Sequence, residues 1–96
     1  MLTGYSTKLQ VQFIKQGKQV VAYSPALDIS TCGKTTAQAR QRFQELARIF
    51  IKEIVNAGTA EDVLSELGWV KHAKQKNWVP PAVASSNVGI RMPVTV

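Results

Sequence analysis

The sequence predicts a small α+β domain, an antiparallel β-β-β meander followed by a long helix, a short helix and a late strand. Three observations carry that expectation. Residues 5–13 and 27–32 alternate with period two around an apolar run at 19–23. The next twenty repeat apolar residues at three- and four-residue spacing. The 96-residue length, 45% hydrophobic and 19% charged, allows one core and no second.

In the first strand Tyr5, Thr7, Leu9, Val11 and Phe13 share one face, against Ser6, Lys8, Gln10 and Gln12. Gln16-Gly17 supplies a turn, because glycine enters positive φ without a steric penalty. Gln19 to Tyr23 is apolar on both faces and reads as an interior strand. Pro25 interrupts it, and a third strand alternates from Leu27 to Cys32 and stops at Gly33.

Thr35 or Thr36 is placed to cap the long helix. Its apolar stripe is Ala39, Phe43, Leu46, Ala47, Phe50, Ile51 and Ile54, enough to cover one sheet face. Gly58 reads as the residue just past the helix end, and Thr59 as the cap of a second helix from Ala60 to Leu67, closed by Gly68. The stretch 69–87 contains Trp69-Val70-Lys71-His72-Ala73, a polar turn and Trp78-Val79-Pro80-Pro81, read as a ragged hairpin or an extended arm. A last strand follows in 88–96, with Val88, Ile90, Met92, Val94 and Val96 on one face and Pro93 marking an edge or a ladder end. The organisation is therefore a β-β-β-α-α core over 1–68, an arm over 69–87, and a strand over 88–96. That strand is expected to run beside the first, or to pair between subunits.

Chemistry is scarce. One cysteine, Cys32, and one histidine, His72, exclude a disulfide framework and a zinc site of Cys/His type within one chain. A two-metal nuclease needs several converging carboxylates, whereas the strands offer only Asp28. Glu45 and Glu53 share a helical face but have Arg48 and Lys52 nearby to pair with them. Cys32 reads as a half-buried structural thiol and His72 as a surface residue. No catalytic residue, cofactor or metal is expected. Nothing approaches a membrane span or a secretory leader, so the expected compartment is the cytoplasm.

The net charge of +6 is uneven. The first 66 residues set eight Lys/Arg against all six acids, while the remaining thirty hold Lys71, Lys74, Lys76 and Arg91 with no acid. Lysines interleaved with Trp69 and Trp78 suit phosphate contact and base stacking, which makes 69–78 a candidate RNA or DNA contact. The same residues suit a flap whose indoles cover apolar surface while the lysines stay in water. Val88, Ile90, Met92 and Val94 form the candidate edge for self-association or partner binding. A homodimer or homotetramer is expected, since so small a core gains from oligomerisation.

The run Val20-Val21-Ala22-Tyr23-Ser24-Pro25-Ala26-Leu27-Asp28-Ile29, then Gly33-Lys34-Thr35 and Ala39, resembles the HicB-like antitoxin family over about residues 9–55. Pro80-Pro81 and Ile90-Arg91-Met92-Pro93-Val94 are similar to the end of short members. Lys34 and Thr36-Ala37-Gln38 stand where the family usually carries acids. The resemblance implies a partial ribonuclease H-like fold without nuclease chemistry. It also implies a partner, a HicA-type toxin that cuts messenger RNA, neutralised by steric contact within a type II toxin-antitoxin system. With two residues after Val94, the expectation is a short member lacking the appended DNA-binding domain, either an antitoxin or an orphan homologue.

Overall fold

The computed structural model describes residues 5–74 and 77–94. Its element order is β1 (Gln12–Gln16), β2 (Gln19–Ser24), β3 (Ile29–Gly33), α1 (Thr36–Asn56), α2 (Ala60–Glu66), β4 (Val70–Lys71) and β5 (Trp78–Val79). The first three strands form an antiparallel sheet in the order β1-β2-β3, and β4 pairs with β5 in a separate antiparallel hairpin. The α+β layout expected from the sequence is the one found.

The strand limits follow from what each strand has beside it. Gln16 pairs with Gln19 across Gly17-Lys18, and Gly17 has φ +61°, which the first central position of a II′ turn requires. At the other end the ladder stops at Gln12 opposite Tyr23, because the β2 chain then turns at Pro25 and offers no partner. The expected strand from Tyr5 is thus laddered only from Gln12. The third strand is also shorter than expected. Asp28 adopts φ +53° and donates its N–H to the Ser24 carbonyl at 2.8 Å, which keeps Ala26 and Leu27 in a loop that buries both side chains. Tyr23 closes this loop by donating its hydroxyl to Asp28 Oδ1 at 3.0 Å.

Thr35 caps α1, its Oγ1 accepting the Gln38 N–H at 3.0 Å. Gln38 reciprocates, its Oε1 accepting the Lys34 N–H at 2.7 Å. Just before, buried Gly33 lets β3 pass so close to α1 that a Cβ there would lie 2.7 Å from the Ala39 amide nitrogen. The closeness needs a glycine on the strand and a small residue on the helix, and Ala39 is fully buried. Glycine φ values of +73° at Gly58 and +92° at Gly68 end the two helices alike. Thr59 N–H donates to the Ile54 carbonyl and Gly58 N–H to Val55, while Trp69 N–H donates to Leu64 and Gly68 N–H to Ser65. Each is a Schellman closure. Thr59 does not cap α2 through its side chain. Its hydroxyl faces back and donates to the Ile54 carbonyl at 3.4 Å.

Two buried clusters hold the layers together. Ala22, Ala39 and Phe43 join the sheet to the start of α1. Ala26, Leu27, Ile54, Leu64 and Trp69 join the β2–β3 loop to the end of α1, to α2 and to the arm. Leu9, Ile29 and Ala47 touch both clusters. Helix α1 lies over β3 and β2 and barely meets β1. That offset leaves β1 uncovered, and all five of its residues are exposed.

One part of the expected layout differs. Val88 to Val94 form no ladder with β1 or with any other described strand. The outer edge of β1 is therefore open among the described residues.

Candidate docking surface

The arm 69–79 is held by its aromatic residues. Trp69 is 6% exposed, and its indole N–H donates to the Ala26 carbonyl at 2.8 Å. The Schellman closure after α2 aims Trp69 inward, onto Leu64 and Ile54. Little of its indole is open to solvent. Lys71 is engaged too, its Nζ lying 3.1 Å from Glu61 and 5.9 Å from the centre of the Trp78 ring. Tyr5 clamps the backbone of Trp78, donating its hydroxyl to the carbonyl at 2.9 Å and accepting the N–H at 2.6 Å. Lys74 is exposed, and Lys76 lies outside the described residues. The stretch has the anatomy of a flap, with indoles over the core and lysines toward water.

Other candidates stay dispersed. Glu45, Glu53, Arg48 and Lys52 are all exposed on α1, and the expected pairing between them is not formed, the one ion pair among the described residues being Lys71 with Glu61. Cys32 is half-buried in β3, its carbonyl accepting from Arg42 Nη1 at 3.0 Å. His72 is exposed next to the arm hairpin, joined to Asn77 through its backbone. No group of three or more His, Cys, Asp or Glu among the described residues is arranged to hold a metal ion. No helix of the described chain is long and apolar enough to cross a membrane.

What the fold does assemble is a groove. Residues 5–11, unpaired, run alongside α1 and leave a hollow on each side of Leu9. One hollow, about 570 Å³, lies between Phe13 and Phe43, with Lys8 and Arg40 at its rim. The other, about 790 Å³, is floored by Ile51, Leu64 and Trp78, with Arg48 and Lys52 at its rim. Thr7, Leu9 and Ala47 line both, so the two hollows adjoin at Leu9 and together make the channel beside α1. Phe13 sits opposite buried Ala22, on the helix-facing side of the sheet, yet is 38% exposed because α1 stops short of β1. Sequence alternation alone did not reveal this channel, because its existence depends on the sideways offset of α1.

The terminal segment is the second feature. Val88, Ile90, Met92 and Val94 are 70–93% exposed, and no hydrogen bond joins 82–94 to the rest of the described chain. Four large apolar side chains in a row of alternating positions form an apolar stripe without a cover. Comparison with known proteins adds no relative, since no family model, curated protein or solved structure matches this chain.

Proposed function

We propose that this protein is a non-enzymatic docking module, a HicB-like antitoxin that neutralises a HicA-type mRNA interferase by steric contact and assembles with itself as a homodimer or homotetramer. The observation that carries the reading is the open β1 edge beside a vacant apolar channel. An unpaired strand edge offers backbone donors and acceptors to an incoming chain, and the channel offers pockets for its side chains. The residues of the resemblance also shape this fold. The Gly33-Lys34-Thr35 approach and Ala39 are the residues that let β3 pass tightly into α1. The Tyr23-Ser24-Pro25 segment with Asp28 builds the loop that covers the core.

The test is a reconstituted cleavage assay. A HicA-type mRNA interferase is incubated with messenger RNA, and the chain is titrated in. Cleavage is expected to stop near one chain per toxin, with a stable complex on gel filtration. Undiminished cleavage at excess chain, or RNA turnover by the chain alone, overturns the reading. The alternative, RNA or DNA binding by 69–78, draws no support from buried Trp69 or from paired Lys71. It requires affinity that falls steeply with salt, through counterion release.

A further inference from the structure

We infer that two copies of this chain exchange their terminal segments, Val88 to Val94 of each adding a fourth strand at the β1 edge of the other and filling the channel under α1. The inference deepens the self-association part of the docking reading and does not depend on a toxin.

Within one chain, both halves of a missing contact lie exposed. The stripe of Val88, Ile90, Met92 and Val94 has no cover, and the helix-facing side of β1 around Phe13 has none either. The dimensions agree. From Arg40 to Val55, the α1 residues that line the channel at its two ends, the helix rises about 22 Å. From Val88 to Val94 an extended segment spans about 20 Å.

The segment reaches outward instead of folding back. The Cα radius of gyration is 16.6 Å, where a compact domain of this length has about 12.5 Å. The longest dimension is 61 Å against 28 and 21 Å for the other two. Pro80 and Pro81 stiffen the departure, and Pro81 packs beside Gly68 at the base of the arm.

A second copy suits the site better than a foreign partner, for two reasons. The exchange is isologous, so each contact is made twice and eight large apolar side chains leave water together. Charge also permits it. The only charged residue of the segment, Arg91, alternates onto the face opposite the apolar four, away from Lys8 and Arg40 at the channel rim. Pro93 has no N–H and falls one residue before the end of the stripe, where a ladder is free to stop.

The experiment uses the full chain in an equimolar mixture of carbon-13-labelled and unlabelled copies, read by isotope-filtered nuclear Overhauser spectroscopy, with light scattering alongside. Contacts between the Ile90 and Met92 methyls of one copy and the Phe13 and Phe43 rings of the other are expected. The variant Met92→Lys, its fold checked by circular dichroism, is expected to raise the dimer Kd about tenfold or more by forcing a charge against the channel. Contacts confined to one copy, no contacts at all, a purely monomeric chain at micromolar concentration, or a dimer untouched by Met92→Lys would each overturn the exchange. The cleavage assay reads toxin neutralisation separately: an exchanged dimer that still stops cleavage holds its toxin on a surface other than the β1 edge.

Discussion

The indole of Trp69 donates to the carbonyl of Ala26 across 43 residues of sequence. That bond ties the arm after α2 to the loop between β2 and β3. It is the point where the late part of the chain is locked onto the early meander, and both ends of it are buried. The arm is therefore part of the core as far as Trp69, and becomes a surface element only beyond it.

Removing this tie has a predictable cost. Trp69→Phe keeps much of the packing but leaves the Ala26 carbonyl without its donor, a loss of about 1–3 kcal/mol. Trp69→Ala also opens a cavity between α1 and α2 and should cost about 3–5 kcal/mol. Urea denaturation of the two variants checks both the order and the size.

Gly33 is the strand position least tolerant of a side chain. A methyl group there would press on the backbone of Gln38 and Ala39, atoms held by the first turn of α1. Gly33→Ala is expected to destabilise the fold by about 1–3 kcal/mol, as overpacking does. Gly17→Ala meets no neighbouring atom, and there only the positive φ is penalised, by about 1 kcal/mol. Thermal unfolding of the pair should show Gly33→Ala as the more damaged.

The Tyr5 hydroxyl serves both backbone groups of Trp78. Tyr5→Phe should therefore release β5 without unfolding the sheet, at a cost of about 0.5–1.5 kcal/mol per bond lost at so exposed a site. Hydrogen exchange is the suitable readout. The Trp78 amide should exchange faster in the variant, while the amides of β2 and β3 keep their protection.

Tyr23 provides a pH test. Its pKa lies above the ordinary 10.0 because its hydroxyl is donated to Asp28, with desolvation and the Asp28 charge adding to the rise. A raised folded-state pKa means the contribution is fully present below pH 10.0 and is lost as pH climbs through the higher folded value. Alkaline absorbance titration should show one of the two tyrosines ionising late, and Asp28→Asn should bring it back toward the ordinary value.

Much of this molecule was legible in its residues one stretch at a time. Thr35 as a cap, Gly58 and Gly68 as helix ends and the α1 stripe around Phe43 were readable because capping and periodicity are local rules. Strand limits were less so. Tyr5 to Val11 alternates like a strand, yet a strand exists only where another chain lies alongside, and β2 has already turned away at Pro25. Thr59 misled for a similar reason, since its hydroxyl found the Ile54 carbonyl nearer than the α2 amides. The tryptophans of the arm looked alike in sequence, and only packing separated buried Trp69 from half-exposed Trp78.

Local chemistry thus determined which residues coil, turn or extend. Tertiary structure alone decided that α1 sits over β2 and β3 and leaves β1 bare, with a channel beside it and the apolar side chains of 88–94 uncovered. The reason is physical. Periodicity states that a face must be buried, but the face that buries it is chosen by the lateral position of a helix on a sheet, which no stretch of this chain encodes by itself.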